Sequence, residues 1–344
     1  MAPSNKAAFY PSDKSPSLQI DASPYPIPSE NELIIRVGAT AVNPIDHKLQ
    51  DLGTAIFPDL AYPYIGGFDV AGTVAETGPG VTGFKPGDRV LGFATDLAAR
   101  AGGFQHYVAV PAGMAAPIPA GTSFAEAAVL PTGVATAAVA LHRFLGLEPP
   151  ALPPRPRKEG RAVLIAGGAS SVGSNAIQLA VASGYEVITT SSRRNFAHCR
   201  ALGASLVLDY RAADLAQQLK DAFRGKNCIG GVSCLEATNG LVFAVVGASQ
   251  GSKRVACTIL FSREGVPSDI EAEMIHAYWV RDTPLAEAIF GAFLPEALAR
   301  GEYKCEPRPL VVGRGLESLQ PAFDIGKEGS VSCEKLVVVL EAES

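Results

Sequence analysis

The fold class of this chain is decided by the stretch Arg161-Ala-Val-Leu-Ile-Ala-Gly-Gly-Ala-Ser-Ser-Val-Gly-Ser-Asn-Ala-Ile-Gln-Leu-Ala180. An apolar run, 163–166, enters a Gly-rich turn, 167–173, and residues with helical spacing follow. Strand, tight turn and helix in this order form the first unit of a dinucleotide-binding fold, in which backbone N–H groups and a helix N-terminus face a pyrophosphate. Ser170 replaces the middle glycine of Gly-x-Gly-x-x-Gly, and a tight turn without a ligand is the alternative.

The end of the next predicted strand indicates which dinucleotide binds. Enzymes that use NAD usually place an Asp or Glu there, which accepts from the ribose 2′-OH. Here the strand ends in Ser191-Ser192-Arg193-Arg194-Asn195. Hydroxyls and guanidiniums suit a 2′-phosphate, because charge-assisted and bidentate hydrogen bonds to it are strong. This sequence predicts NADPH; the alternative is a solvated basic turn.

Composition excludes several classes of protein. The 344 residues are 47% hydrophobic and 18% charged, and the net charge of −5 offers no basic surface for nucleic acid or an anionic membrane. The N-terminus lacks the apolar core of a signal peptide, and we expect no apolar run as long as a membrane span. The six cysteines match no disulfide framework, so they predict reduced thiols in a cytoplasmic protein.

The first 145 residues contain short β-like runs separated by Gly- and Pro-rich turns. Such a pattern predicts an irregular barrel rather than repeated βαβ units. The Pro-dense stretch 148–157 is predicted to be an inserted loop. The β-like runs are 32–39, 70–76, 88–93 and 107–110.

From Arg161 onward, predicted strands and helices alternate, which indicates a parallel, doubly wound sheet of five strands. A last β-like run, 336–340, lies after this part and is predicted to return to the first domain. The predicted strands are 162–167, 186–191, 205–209, 231–235 and 253–260, and the helices are 171–183, 195–202, 214–223 and 239–246.

Several motifs together resemble those of the medium-chain dehydrogenase/reductase superfamily, over nearly the whole chain. They are Gly66-Gly-Phe-Asp-Val-Ala-Gly72, Val81-x-x-Phe-Lys-Pro-Gly-Asp-Arg-Val90, Gly103-Phe-x-x-Tyr107, Leu130-Pro-Thr-Gly-Val-Ala-Thr136 and the Gly-rich turn. The resemblance implies an α/β protein with two domains. One is a discontinuous GroES-like irregular β-barrel, 1–130 with 300–344; the other is a Rossmann domain with a doubly wound parallel sheet, 131–299, carrying the Pro-rich loop.

Three further motifs are similar to those of fungal trans-acting enoyl reductases that serve polyketide synthases, of the lovastatin-pathway type. They are Asn43-Pro-Ile-Asp-His-Lys48, Asp209-Tyr-Arg211 and Ser332-Cys-Glu-Lys335. This resemblance implies reduction by NADPH of the α,β-double bond of an acyl thioester. The partner it implies is a polyketide synthase, or a synthase–peptide synthetase hybrid, met by a monomeric reductase. Cys333 departs from these relatives, which usually have Gly at this position.

The same resemblance bears on zinc. Zinc-dependent members hold the metal with a Cys and a His where this chain has Asn43 and Phe68, and no Cys lies upstream of residue 199. Zinc prefers nitrogen and sulfur ligands in a tetrahedral set. We therefore predict no metal, which disfavours alcohol oxidation and leaves hydride addition to an activated C=C feasible.

Lys48 and Thr136 are the predicted catalytic residues. Lys48 belongs to a loop that lines the cleft in this superfamily and could hold the nicotinamide ribose, anchor the substrate carbonyl or supply a proton. The alternative is a solvated surface lysine. The hydroxyl of Thr136 could face nicotinamide or substrate, or bond back to its own helix.

The remaining site predictions form two sets, with no metal ligand in either. Tyr210 is placed beside the adenosine phosphate by the resemblance, and its alternative is a surface aromatic. The predicted cofactor contacts are Ile45, Asp46, His47, Lys48, Ala169, Ser170, Ser171, Val172, Ser192, Arg193, Arg194, Asn195, Tyr210, Ile259, Leu260, Ser332 and Cys333. The predicted substrate contacts are Thr136, Ala137, Ala138, Val139, Ala140, Leu141, His142, Arg143, Phe144 and Tyr278.

Two other functions remain open at this point. The first is a free-standing quinone or alkenal reductase, which would act on small diffusible acceptors. The second is a non-catalytic NADPH-binding or scaffold protein, since the fold alone does not establish activity.

Overall fold

The computed structural model describes residues 3–341, which form two compact units: residues 3–132 with 305–341, and residues 133–304. The strands are β1 (Asn5–Tyr10), β2 (Gln19–Ser23), β3 (Glu32–Ala41), β4 (Tyr64–Ile65), β5 (Asp69–Thr77), β6 (Arg89–Phe93), β7 (Tyr107–Pro111), β8 (Ala115–Pro117), β9 (Arg161–Ala166), β10 (Glu186–Ser191), β11 (Leu206–Asp209), β12 (Asn227–Ser233), β13 (Arg254–Cys257), β14 (Glu271–Met274), β15 (Arg308–Arg314) and β16 (Glu334–Val339). The α-helices are α1 (Pro44–Leu52), α2 (Phe124–Ala127), α3 (Pro131–Ala138), α4 (Ser171–Ala182), α5 (Phe196–Ala201), α6 (Leu215–Ala222), α7 (Asn239–Ala248), α8 (Pro284–Ala286), α9 (Leu294–Ala299) and α10 (Leu319–Glu328). Val139–Phe144 and Glu287–Phe293 are π-helical.

The first unit is built around β3, a long and mostly buried strand. Its main sheet has the order β15-β16-β3-β5-β6-β8, β7 also pairs with β3, and a smaller sheet has the order β2-β1-β4. A bulge in β3 brings Gly72 so close that a Cβ there would lie 2.0 Å from the Arg36 carbonyl oxygen, so only glycine fits. β16 pairs antiparallel with β3, so the C-terminal run returns to the first unit.

The second unit contains a parallel sheet with strand order β11-β10-β9-β12-β13-β14. The predicted fold class, a GroES-like domain with a Rossmann domain, is confirmed. The sheet has one strand more than predicted, because β14 (Glu-Ala-Glu-Met) is short, polar and at the edge, and lacks the apolar run that marks the others. Parallel pairing places the loops after all these strands at one edge of the sheet.

The stretch Phe124–Phe144 corrects one expectation from the sequence. With a mean hydropathy of 1.6 over its most apolar window, it is long and apolar enough to cross a membrane, so the expectation that no apolar run reaches that length is wrong. Of that window, 78% is buried within the fold. This burial is the environment of a core helix.

The Pro-dense stretch 148–157 is irregular and has several exposed prolines. The backbone N–H of Arg155 donates to the Ala182 carbonyl, and that of Lys158 donates to the Gly184 carbonyl. These bonds fix the predicted inserted loop over the end of α4, so its backbone is held despite the lack of regular structure.

Candidate functional site

The Gly-rich turn has the geometry of a nucleotide loop. β9 ends at Ala166, Gly167 has a φ of 97°, and α4 begins at Ser171. A Cβ on Gly173 would lie 2.2 Å from the Gly167 carbonyl oxygen, so the helix can approach the turn only with glycine there. The Ser170 hydroxyl donates to the Gly167 carbonyl (2.7 Å) and accepts from the Gly173 N–H (3.1 Å). Ser170 is therefore the N-cap of α4, which explains a serine at the middle-glycine position.

Two buried hydroxyls fit a dinucleotide cofactor. Within residues 3–341, the Oγ atoms of Ser171 and Ser192 are buried and have no hydrogen-bond partner. Ser171 is the first residue of α4, and Ser192 follows β10 and is 8% exposed. Buried hydroxyls without partners are costly unless a ligand satisfies them, and both lie at the carboxyl edge of the sheet, where such folds bind nucleotides. The residues present thus fit phosphate or ribose oxygens.

The predicted 2′-phosphate residues lie where β10 and β11 end side by side, since Ser191 pairs with Asp209. Arg194 is exposed, whereas the Nε of Arg193 donates to a carboxylate oxygen of Asp209 (2.8 Å). The pKa of Asp209 is lowered, first by the backbone N–H of Arg211 and then by Arg193. Arg193 therefore already has an anionic partner, which was not predicted from the sequence.

The other predicted contacts in this unit lie along the same edge. Tyr210 is 48% exposed, and the Arg211 guanidinium lies 5.2 Å from its ring centroid. Asn195 is buried at the turn after β10. Leu260, 72% exposed, and Ile259 follow β13. The structure thus brings the predicted contacts of residues 169–260 to one edge of the sheet; that they bind the cofactor stays a prediction.

In the first unit, α1 carries four of the predicted contacts, 45–48. Lys48 is exposed, and His47 is half-buried, with its ring against Gly326 of α10. Asp46 is fully buried, and its carboxylate accepts from the backbone N–H of Asn43 (2.7 Å) in a capping box. The Asp46 side chain has no accessible surface and caps its own helix, and a contact with the cofactor stays a prediction. Its burial, and then the nearby charge of Asp69, raise the pKa of Asp46 to about 7.

Asp69 is the centre of a buried polar cluster that was not predicted from the sequence. One carboxylate oxygen accepts from the backbone N–H of Thr132 (2.5 Å), and the other accepts from the Asn43 Nδ2 (2.7 Å) and the Lys335 Nζ (2.5 Å). Lys335 also donates to the Val129 carbonyl (3.3 Å). The signal in the sequence was a charged residue at the start of an apolar strand, since such a residue is rarely buried without a partner.

This cluster bears on whether zinc fits. The Asn43 amide and the Lys335 ammonium both donate N–H groups to Asp69. The positive charge that a metal would bring to this carboxylate is therefore already supplied by Lys335. No group of three His, Cys, Asp or Glu among residues 3–341 is arranged to hold a metal ion. The donor set around Asn43 and Phe68 does not fit zinc, which prefers nitrogen and sulfur lone pairs.

The predicted substrate contacts occupy α3 and the π-helix after it. Thr136 is 7% exposed, and residues 137–141 have no exposed surface, so the structure does not support those five as direct contacts. These five apolar side chains are part of the core instead. Gly133 permits a close approach to α4, because a Cβ there would lie 2.5 Å from the Asn175 Nδ2. Nδ1 of His142 lies 3.2 Å from the Leu147 carbonyl, and burial lowers the pKa of this histidine to about 4.

The remaining predicted substrate contacts are more accessible. Arg143 is exposed, and its NH1 donates to the Trp279 carbonyl (2.5 Å), with its guanidinium 5.4 Å from that indole. Phe144 is half-buried. Tyr278 is 50% exposed, with its ring centroid 5.2 Å from that of His276. Arg143 and Tyr278 therefore have surface available for a ligand.

Ser332 and Cys333 precede β16. Cys333 has a φ of 60°, in the left-handed region that favours glycine. This conformation explains in physical terms why Gly suits the position and why Cys is strained there.

Comparisons with known proteins agree with this arrangement. Residues 29–120 match the family model of the alcohol dehydrogenase GroES-like domain, and residues 171–255 match that of the zinc-binding dehydrogenases. The chain is 41% identical to the dehydrogenase pigH of Monascus ruber, over 98% of this chain and 100% of that protein. It is 39% identical to the trans-enoyl reductase himH of Aspergillus japonicus, over 97% of each. The solved structure of CurK enoyl reductase superposes with a TM-score of 0.76 at 20% identity, covering 98% and 99%, and thus shares the fold.

Proposed function

Because this chain belongs to the medium-chain dehydrogenase/reductase superfamily, we propose that it is an NADPH-dependent enoyl reductase. It is an oxidoreductase of a family that uses a nicotinamide cofactor. In our proposal its substrate is an α,β-unsaturated acyl thioester carried by a polyketide synthase, or by a synthase–peptide synthetase hybrid, which the reductase meets as a separate protein.

The observation that carries the cofactor part is the pair of partnerless buried hydroxyls on Ser171 and Ser192. When the cofactor is bound, Ser171 would donate to the pyrophosphate beside the N-terminus of α4, and Ser192 would donate to the adenosine ribose or its 2′-phosphate. Arg194 supplies a positive charge for that phosphate, while Arg193 shares its charge with Asp209.

The choice of a C=C substrate rests on two supports. A full-length relative at 39% identity is named a trans-enoyl reductase. In addition, the cluster of Asn43, Asp69 and Lys335 does not fit the zinc that would activate an alcohol. An enoyl thioester needs no such activation, because its carbonyl already withdraws electrons from the double bond.

When bound, a nicotinamide would supply the hydride to one carbon of the double bond, and the other carbon would take a proton from Lys48 or from water. The side chains of this protein would bind and orient the reacting groups. Lys48 is exposed on α1. Its Nζ would donate to the thioester carbonyl, where it would stabilise the negative charge that develops on that oxygen, or to the cofactor ribose, where it would orient the cofactor. The Thr136 hydroxyl, which is nearly buried, would orient the nicotinamide or the substrate.

The cofactor assignment is tested by the dissociation constants of NADPH and NADH. Arg194→Ala should weaken NADPH by about 10- to 100-fold, on the scale of one charge-assisted hydrogen bond, and leave NADH nearly unchanged. Arg200→Ala, an exposed arginine on α5, removes the same charge and serves as the control. Equal affinities of the unmodified protein for the two cofactors would contradict NADPH use.

The activity is tested by loss of NADPH absorbance with an enoyl-pantetheine thioester and, separately, with a quinone. We expect turnover of the thioester, and a loss of about ten-fold in kcat/KM for Lys48→Ala. Lys85→Ala, at another exposed lysine of the first unit, is the control. Turnover of quinone alone would favour a diffusible-acceptor reductase, and NADPH binding without any turnover would favour a scaffold.

A further inference from the structure

We propose that Asp69 is a positioning residue, which fixes the first turns of the two helices that carry Lys48 and Thr136. Its carboxylate acts through Asn43 on α1 and through Thr132 on α3, and Lys335 balances its charge. This inference rests on the proposed function, because those two side chains are the proposed catalytic residues.

The contacts of Asp69 reach both helix starts. Asn43 is the N-cap of α1, and its amide Nδ2 donates to one carboxylate oxygen (2.7 Å). Thr132 is the second residue of α3, and its backbone N–H donates to the other oxygen (2.5 Å). The first N–H groups of a helix have no partner within the helix, so an outside acceptor there fixes where the helix begins.

Strand pairing does not require this carboxylate. Ala41 of β3 pairs with Asp69 of β5 on one side and with Val337 of β16 on the other. Backbone ladders therefore already fix the register of these three strands. The side chain of Asp69 adds hydrogen bonds to the first residues of α1 and α3.

The stability of the fold does not require the ion pair of Lys335 and Asp69 either. The side chains of Lys335 and Asp69 are 4% and 0% exposed. The cost of removing two charges from water offsets most of their attraction, so an apolar pair of similar volume generally stabilises a protein as well. The charged pair is instead explained by two N–H donors, those of the Asn43 amide and the Thr132 backbone, which need the carboxylate as their acceptor.

The first test is Asn43→Ser. Serine still caps a helix and changes no buried charge, but it is too short to reach Asp69. We expect kcat for an enoyl-pantetheine thioester to fall about ten-fold, with the NADPH dissociation constant within about two-fold of the unmodified protein. Amide hydrogen exchange should become faster in residues 44–48. Asn31→Ser, at an exposed asparagine of the same unit, should change none of these quantities.

The second test is the double variant Asp69→Asn with Lys335→Met, which removes both buried charges together. We expect a melting temperature near that of the unmodified protein, because no charge is buried any longer. We expect kcat to be reduced, because the charge-assisted hydrogen bonds from Asp69 to the first residues of α1 and α3 are lost. If this variant does not fold, Asn43→Ser alone decides.

The outcomes separate the inference from the proposed function. Wild-type kcat in Asn43→Ser overturns the positioning role, whether or not hydrogen exchange changes. A double variant whose melting temperature and kcat both equal those of the unmodified protein overturns the positioning role too. If the unmodified protein reduces no enoyl thioester, the proposed function fails. Hydrogen exchange then tests whether Asp69 fixes the first turn of α1. Unchanged exchange in Asn43→Ser overturns that inference, and faster exchange supports it.

Discussion

Replacing Asp46 by Asn should raise the free energy of unfolding at about pH 8, and much less at about pH 5. Asp46 is fully buried in the first turn of α1, and one of its carboxylate oxygens has no hydrogen-bond partner among the described residues. Asparagine keeps an oxygen that can accept from the Asn43 N–H, which now donates at 2.7 Å, and it cannot ionise.

The magnitude follows from the pKa. Burial, and then the charge of Asp69, raise the pKa of Asp46 from 3.8 to about 7, against the opposing effect of the Asn43 N–H and Lys335. Between these two values the folded state holds a proton that the unfolded state has released. Stability therefore falls as pH rises through this window, by roughly 4 kcal/mol in total. Roughly 2–3 kcal/mol of this loss lies between pH 5 and pH 8, so Asp46→Asn should gain that much between the two conditions.

The assay is urea denaturation of the wild type and the variant, followed by far-ultraviolet circular dichroism at several pH values. Asp51→Asn is the matched control, because Asp51 is exposed on the same helix and should show no such pH-dependent gain. Parallel stability curves for wild type and Asp46→Asn across this window would refute the reasoning. A variant less stable than the wild type at the upper end would refute it too.

Three further predictions concern stability. Because burial lowers the pKa of His142 to about 4, stability should fall as pH drops from 6.5 towards that value, and His142→Gln should flatten this slope by roughly 3 kcal/mol in acid titrations of unfolding. Gly133→Ala should cost about 1–3 kcal/mol, since its Cβ would meet Asn175, whereas Gly240→Ala has open space and should gain about 0.5–1 kcal/mol; thermal melts compare them. Cys333→Val should cost about 1–2 kcal/mol because a branched residue is strained at a φ of 60°, while Cys333→Gly should be tolerated; equal melting temperatures would contradict this.

Much of the fold could be predicted because its signals are local. The Gly-rich turn after an apolar run predicted β9 and α4, and Ser170 proved to be the helix cap. β14 was missed, since an edge strand of four residues with two glutamates has no apolar periodicity.

The site was less predictable, because it depends on burial and on contacts between distant residues. Asp69 and Lys335 are 266 positions apart, and nothing local pairs them. Ala137 and Ala138 look suited to a ligand because they are small, yet they pack into the core with no exposed surface. Small side chains indicate close packing, and only the structure tells whether a helix or a ligand fills the space.

The return of the chain to its first unit has a consequence for biosynthesis. β16 lies between β3 and β15 and carries Lys335, so the main sheet of the first unit lacks an inner strand until residues 334–339 have left the ribosome. Until then β3 is unpaired on one side at residues 39–41, where it can pair with other chains, and the carboxylate of Asp69 lacks Lys335 as its counter-ion. The second unit is contiguous in sequence and needs no such wait. Nascent chains that stop before residue 334 should therefore fold in their second half and stay prone to aggregation in their first.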